Sequence, residues 1–379
     1  MPLLIKLSKV SAKALVAVMA TVVAFYIVLL LLNLNDQAPS AAAGTMQQLQ
    51  LSAKPVVEQT AVNNVYLYLA EHDAPAKYQL AEPLAALMRQ CDIADCHTML
   101  LAQPELAQLV AQHQAVSDFY QQVRSLPFLY HPIPADAAQA LPSFHSVFNG
   151  QRLLLLQAWL AAQRQDAAEV KQLLEQDLQF WRALLLKNNL LLYKIVSAAA
   201  IKKHFKFAAY IKQQLAPEQA SAMLPSAWLS AFTEQELSLQ LAVAGEWAYG
   251  NMITDTLILK APQSSNISFS EQLEWYLLTP LLQPQATSNQ RAAQLLAYAN
   301  GDAPDTKPWY SWFYNPVGKI LNSVAQPDYE RYRALLTELE SLRQQATTEA
   351  TTVQTGLHRL APTHDATPEH RQALASAVH

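Results

Sequence analysis

The residue best placed for acid–base chemistry is Glu246, which lies in the largely apolar segment LAVAGEWAYGNM. Burial keeps a carboxyl group protonated near neutral pH, and the general acid of a glycan-cleaving enzyme needs that state. A glutamate that is hydrogen-bonded to a tyrosine or to a helix end would have the same surroundings in the sequence. Asp255 follows nine residues later, which is about 180° around a straight helix. Glu246 is therefore a candidate general acid without an identified partner.

The sequence lacks the short motifs that mark common catalytic and cofactor sites. It contains no H-E-x-x-H, no G-x-S-x-G and no dinucleotide-binding fingerprint. Gly318 and Lys319 resemble the end of a phosphate-binding loop, but the upstream glycine of that motif is absent. Histidines such as His72 and His145 are scattered singly. We therefore expect no metal and no cofactor, and a binding protein rather than an enzyme.

The two cysteines, Cys91 and Cys96, form a C-x4-C pair in QCDIADCHTML. In an exported domain such a pair most simply forms a local disulfide, which across so short a loop would stabilise the fold by about 2 kcal/mol. Haem attachment is an alternative because His97 follows directly, although the usual C-x-x-C-H spacing is two residues shorter. A zinc site would need further ligands nearby, and two free thiols are the remaining alternative. We expect the disulfide.

Seven basic residues and no acidic one lie between Asp177 and Glu218, in a chain whose net charge is −4. On one continuous helix, five of them would lie within roughly 120° of one another. Such a face could bind an acidic partner, a phosphate-bearing lipid headgroup or an acidic glycan. The alternative, which we favour, is a solvated face beside acidic neighbours of the same fold. The five candidates for anion or partner binding are Lys187, Lys194, Lys202, Lys206 and Lys212.

Aromatic residues are concentrated in the segment PWYSWFYNPVGK. Asn315 suits the N-cap of a following helix and Pro316 its first position. The rings could pack across helix ends, stack on a sugar or a partner, or contact a bilayer interface. We expect packing first and the bilayer interface last. The candidate residues of this loop are Trp309, Tyr310, Trp312, Phe313 and Tyr314.

The composition predicts an all-α protein. Of the 379 residues, 51% are hydrophobic and 15% are charged, which excludes a disordered chain, and the two cysteines exclude a disulfide scaffold. Only 7 glycines are present, too few for the many tight turns of barrels and sandwiches. Alanine, leucine and glutamine, which are good helix formers, are abundant. The net charge of −4 disfavours a general nucleic-acid binder.

Residues 14–32, within a predicted anchor at 14–34, form an uncharged apolar run of nineteen residues. At about 1.5 Å per residue this run nearly spans the ~30 Å hydrocarbon core of a bilayer. Lys6, Lys9 and Lys13 precede it, so the positive-inside rule places residues 1–13 in the cytoplasm. The alternative is a cleaved signal peptide, because small residues follow at 41–43, but a signal core is usually ~7 to 15 residues long. We expect an uncleaved single-pass anchor.

The rest of the chain predicts one helical domain between a stalk and a tail. The polar stretch 35–57 lacks a clean apolar period and suggests a stalk, and the tail 347–379 has little to bury and is expected to be mobile. The domain, 58–346, is expected to be an irregular antiparallel multi-helix fold with a candidate sub-boundary at 126–143. The expected helices lie near 58–71, 80–90, 98–124, 144–164, 166–186, 189–214, 232–258, 270–279, 287–299, 316–325 and 328–346.

Four segments occur in an order that resembles a group of proteobacterial membrane proteins with no assigned activity. They are N-x-x-Y-x-Y-L from Asn63, the C-x4-C pair, FWRALL from Phe180, and YNPVGKIL from Tyr314 followed by YERYRALLTELESLR. The resemblance covers most of residues 10–345. It implies a Gram-negative inner membrane, an N-terminal anchor and a helical periplasmic domain, and it implies no catalytic residues.

Together these features predict a binding or scaffolding component of the bacterial envelope. Its expected partners are the lipid bilayer and an envelope protein or an anionic envelope component, with no nucleic acid. The alternative function is a glycan-acting enzyme with Glu246 as general acid. An open cleft with a second carboxylate at Glu246 would favour that enzyme, whereas enclosure by side chains would favour the binding protein.

Overall fold

The computed structural model describes residues 2–74, 76–93, 96–136, 139–259, 268–303, 308–324 and 328–360. The protein is 75% helical, and the described residues form no strand. An isolated bridge between Asn64 and Phe128 is the only β-type pairing within these ranges. The predicted all-α fold is confirmed.

The first helix, α1 (Pro2–Leu32), stands apart from the other helices for most of its length. Its segment Lys13–Leu32 has a mean hydropathy of 2.9 and is not buried against the rest of the protein. It is the one helix in the described part of the chain that is long and apolar enough to cross a membrane. The predicted N-terminal apolar helix is therefore confirmed.

The segment expected to be a stalk, 35–57, is instead partly folded into the domain. It contains α2 (Ala41–Ala53), whose N-cap is Ser40 and whose side chains Ala43 and Met46 are buried. Helix α2 packs against two helices from the second half of the chain. The stalk prediction failed because Ala and Gln lack a strong apolar period, although Ala43, Met46 and the half-buried Leu49 pack on the core.

The described residues between α2 and the proline-rich link at 126–143 form five helices, and the helix expected over 98–124 is broken into three. Pro104, which has no backbone N–H to donate, lies in the first break. His113 forms the second break, where its Nε2 accepts the backbone N–H of Ala81 at 2.8 Å and its Nδ1 donates to the carbonyl oxygen of Leu109. These helices are α3 (Val65–His72), α4 (Glu82–Ile93), α5 (Cys96–Leu101), α6 (Leu106–Ala111) and α7 (Gln114–Ser125).

Three long helices form the centre of the domain. They are α8 (His145–Gln163), α9 (Ala167–Lys187) and α10 (Leu191–Gln214), which pack against one another. Trp159 and Trp181 are almost fully buried among them. The ends of these three helices lie within about two residues of the predicted bounds, because a long apolar period predicts a buried helix well.

The helix expected over 232–258 is divided by a turn at Ser238. The short α13 (Glu234–Leu237) begins at a capping box formed by Thr233 and Glu236, and it ends at Ser238, whose backbone is extended. The helices of this region are α11 (Pro217–Ala222), α12 (Ser226–Leu229), α13 and α14 (Gln240–Ile253), and a π-helix, Thr254–Leu259, continues α14. Helix α14 packs against α2 and α10.

The last part of the chain returns to α1 and then to α10. It contains α15 (Phe269–Leu278), a 3₁₀ turn at Thr279–Leu281, α16 (Pro284–Asn300), a 3₁₀-helix at Trp309–Phe313, α17 (Pro316–Val324) and α18 (Tyr329–Leu360). Helix α18 packs against α10 to α13. It extends beyond the predicted end at 346, so 347–360 is helical rather than a free tail. The rest of the predicted tail, 361–379, lies outside the described residues.

One cluster of buried apolar side chains runs from Ala43 in α2 to Leu339 in α18. It includes residues from both sides of the candidate sub-boundary at 126–143. Asn189 ties that link to the centre, because its side chain accepts the N–H and donates to the carbonyl oxygen of His131, at 3.0 and 2.8 Å. The link therefore crosses one core and does not separate two.

Candidate binding surfaces

The five candidate lysines do not share one exposed face. The chain leaves the helical conformation after Lys187, the last residue of α9, and resumes it at Leu191, the first residue of α10. This interruption changes the angle between the two segments, so the assumption of a continuous helix is wrong. Lys187 is exposed on α9, and the other four lysines belong to α10.

Lys194 points into the protein and is only 2% exposed. Its ammonium group donates to the carbonyl oxygens of Leu185 and Glu236, at 2.7 and 2.6 Å. These oxygens lie in the last turns of α9 and α13, where carbonyl groups lack helical partners. Burial lowers the pKa of Lys194 to about 7, against the opposing effect of the Glu236 carboxylate. Lys194 therefore holds two helix ends together, and its expected place on a binding face is wrong.

Three of the candidate lysines do come together, along a groove between α10 and α18 with a volume of about 300 Å³. The side chains of Phe205 and Trp228, which are buried, form apolar surface within it. The groove thus combines an apolar floor with several ammonium groups. The residues that line the groove include Lys202, Lys206, Lys212, Phe205, Tyr210, Trp228 and Leu342. We call this feature the lysine groove.

The lysines of the groove have contacts within the protein. Lys202 forms an ion pair with Glu338 of α18 at 2.6 Å, with both side chains about half exposed. Lys206 donates to the backbone carbonyl oxygen of Cys91 at 3.2 Å. An exposed ion pair contributes only ~0 to 1 kcal/mol, so an anionic ligand could replace Glu338 at little cost.

Glu246 caps a helix. Its Oε1 accepts the backbone N–H of Leu191, the first residue of α10, at 2.8 Å. Burial raises the pKa of Glu246, and this hydrogen bond opposes the increase. Among the described residues, no group of three or more His, Cys, Asp or Glu side chains includes it. The hydrogen bond is that of the helix-end alternative, and the raised pKa is a property that a general acid would share.

Three members of the aromatic loop, Trp309, Tyr310 and Trp312, are exposed, whereas Phe313 and Tyr314 contact the end of α1. The 3₁₀-helix Trp309–Phe313 contains no buried residue, and Trp309 is 75% exposed. Within the loop, the ring of Trp309 contacts those of Tyr310 and Phe313, and Phe313 also contacts the ring of Phe25 in α1, with centroids 6.1 Å apart. Tyr314 donates to the carbonyl oxygen of Asn35 at 3.2 Å. The loop therefore lies beside the end of α1, where Phe313 and Tyr314 are half-buried.

Asn315 is the N-cap of α17, as the sequence predicts, and it also binds the end of α1. Its Oδ1 accepts the N–H of Gly318 at 3.2 Å and that of Gln283 at 2.9 Å. Its own N–H donates to Oδ1 of Asn33 at 2.6 Å, and the Asn33 amide donates to the carbonyl oxygen of Phe313 at 2.9 Å. A φ of 53° places Asn315 in the left-handed region, which asparagine tolerates better than most residues.

The residues after Asn33 continue this attachment. Asp36 accepts the backbone N–H groups of Gln285 and Ala286 at 2.7 and 2.9 Å, and so caps the start of α16. Ser40 donates its N–H to the side chain of Asn289 in α16 at 2.8 Å. We call the contacts of residues 33–40 with the domain the junction. They fix the end of α1 to the folded domain through hydrogen bonds.

Cys91 and Cys96 lie at disulfide distance, with their sulfur atoms 2.07 Å apart. The predicted pairing is therefore confirmed. Both side chains are buried, at the end of α4 and the start of α5. The ring of His97 contacts Gln214 at the end of α10.

A buried polar network that the sequence analysis missed lies at the centre of the domain. Asp177 accepts from Tyr120 at 2.6 Å and from Gln151 at 3.1 Å, and it contacts Nδ1 of His204 at 2.8 Å. The indole N–H of Trp228 donates to Nε2 of His204 at 2.9 Å. Because an indole can only donate, His204 carries its proton on Nδ1 and donates it to Asp177. Asp177 and His204 have no exposed side-chain surface, so the network is structural.

Within the described ranges, no cluster of metal-ligating side chains is present. No protein-family model, no curated protein and no solved structure matches the chain.

Proposed function

We propose that the chain is a bacterial inner-membrane protein with an uncleaved N-terminal anchor and a helical domain in the periplasm. The apolar helix α1 and the lysines that precede its apolar run support this orientation. The cysteine pair at disulfide distance suits an oxidising compartment. The resemblance to proteobacterial membrane proteins agrees with both.

The junction supports retention of the anchor. The small residues that a signal peptidase would need, Ala41 to Ala43, form the first turn of α2, and Ala43 is buried. Cleavage there would remove Asn33 and Asp36, which hold α17 and α16. A cleavable leader has no reason to contribute such contacts to the mature fold.

We further propose that the domain is a binding or scaffolding component that takes up an anionic ligand in the lysine groove. The lysine groove is the observation on which this proposal rests. Its ammonium groups attract negative charge, and its aromatic floor accepts an apolar group. The ligand class is therefore an envelope component that carries both, such as an acidic lipid or an acidic protein segment with an apolar side chain.

Capture from detergent-solubilised membranes tests the groove. A double variant, Lys202→Gln with Lys206→Gln, removes two charges and keeps helix propensity, because Gln is nearly as good a helix former as Lys. We expect wild type to retain anionic lipid or protein that mass spectrometry identifies. The double variant should retain several-fold less, and its residual binding should depend less on salt.

Lys187→Gln is the matched control, because Lys187 is exposed on α9 and does not line the groove. It should recover the same ligand in the same amount as wild type. Equal recovery by the double variant, at equal helix content, would rule out the lysine groove as the binding site.

A further inference from the structure

Two segments that neighbour α1 expose large apolar side chains. Helix α15 contains no buried residue, and its Phe269 is 81% exposed. The 3₁₀-helix Trp309–Phe313 likewise buries nothing, and Trp309 and Tyr310 project from it. We call α15 and this 3₁₀-helix the collar. So many exposed apolar groups in one region usually mark an interaction surface.

Helix α15 is amphipathic, although none of it is buried. At about 100° per residue, Phe269, Leu273, Tyr276 and Leu277 fall within roughly 100° of one another. Glu271 and Glu274 of the same helix lie on the other side by the same arithmetic, together with Leu278 in the last turn. A helix with an apolar face, glutamates on the other side and no buried residue has the properties of an interfacial helix.

The contacts with α1 show how far along the apolar span of α1 the collar lies. The hydroxyl of Tyr26 donates to the carbonyl oxygen of Leu277 at 2.8 Å, and the ring of Phe25 meets that of Phe313. Tyr26 lies six residues before Leu32, which is about 9 Å along the helix axis. The collar thus begins about 9 Å inside the apolar span. Interfacial helices bury their apolar face by ~5 to 10 Å at the boundary between headgroups and acyl chains.

We propose that the collar lies in the periplasmic leaflet of the bilayer that α1 crosses. The apolar face of α15 then contacts acyl chains, and Trp309 and Tyr310 lie at headgroup level, where such rings are favoured. The inference rests on the proposed membrane anchoring by α1. Continuity of the collar with the apolar span, at a matching depth, is what assigns lipid rather than protein to this surface. The domain is then held by two elements and takes a fixed orientation on the membrane.

Spin labels on single cysteines test the collar in full-length protein reconstituted into phospholipid vesicles. The native cysteines are paired with each other, so the labels report only the introduced sites. We expect labels at Phe269→Cys and Trp309→Cys to collide more with oxygen, which concentrates in lipid, than with a water-soluble nickel chelate. Leu229→Cys is the matched control, because Leu229 is an exposed apolar residue on α12, which packs against α9 and α18. Its label should show the opposite preference.

A label at Val22→Cys, on the exposed surface of α1, separates the two proposals. If this label is in lipid and both collar labels match the Leu229 control, the collar proposal is wrong and the anchor stands. If the label on α1 also matches the control, the membrane anchoring itself fails. Collar labels shielded from both reagents, with spin–spin broadening that dilution by unlabelled protein removes, would assign the collar to a second copy of the chain and overturn the lipid contact.

Discussion

Replacing Gly245 by alanine is expected to lower the free energy of unfolding by about 3 kcal/mol or more. A Cβ atom at this position of α14 would lie 1.4 Å from the backbone carbonyl oxygen of Asn189 and 2.6 Å from its carbon. Backbone in the link between α9 and α10 cannot move aside as a flexible side chain can. Helix α14 would have to separate from the segment 188–190 between α9 and α10. This movement would also strain the hydrogen bond from Leu191, the first residue of α10, to Glu246.

Gly44→Ala is the matched control for this prediction. Gly44 lies inside α2, and a Cβ there would meet no atom within 4 Å. Alanine should therefore raise stability by ~0.5 to 1 kcal/mol through helix propensity. Thermal unfolding followed by circular dichroism should show opposite shifts for the two variants. A Gly245→Ala protein as stable as wild type would mean that α14 does not approach the link this closely.

Asp177→Asn is expected to cost about 3 kcal/mol of unfolding free energy. Tyr120, Gln151 and His204 all direct donors at the Asp177 carboxylate. An amide replaces one acceptor oxygen by an NH₂ donor, so at least one buried pair of donors would face each other. The loss should extend to the floor of the lysine groove, because Trp228 is held by His204.

Asp118→Asn provides the comparison on the neighbouring helix α7. Asp118 is exposed and accepts one hydrogen bond, from Gln114 at 2.7 Å. Its amide variant should differ from wild type by less than about 0.5 kcal/mol. Chemical unfolding curves of the two variants measure the contrast. Equal and small effects would contradict the buried, fully accepting carboxylate at Asp177.

The sequence predicts the long buried helices well and the short or marginal ones poorly. Helices α8 to α10 follow from their apolar periods, whereas α2 is held by Ala43, Met46 and contacts with distant helices. The breaks at Pro104 and His113 show the same contrast. A helix break at a proline can be predicted from the sequence, whereas the hydrogen bond from Ala81 to His113 depends on tertiary structure.

The spacing of the lysines alone predicted a shared basic face that includes Lys194, and this prediction was wrong. Lys194 has the sequence surroundings LLLYKIV, and that apolar context was the available signal that it is buried. The lysine groove needs α18, whose Leu342 is far from Lys202 in the sequence, so no local pattern could reveal it. The same holds for Asp177 and His204, and for the contact between Tyr26 and Leu277. Pairings over such distances are set by the fold and not by local spacing.

We propose that α1 remains part of the mature protein and that the domain lies outside the cytoplasm. Alkaline phosphatase fused to the C-terminus tests both parts, because the enzyme is active only after export. We expect an active fusion protein of full-length mass that stays with the membrane fraction after alkaline extraction, because Lys6, Lys9 and Lys13 retain the N-terminus inside. Activity in the soluble periplasmic fraction at reduced mass would contradict the retained anchor, and a full-length but inactive fusion would contradict the periplasmic domain.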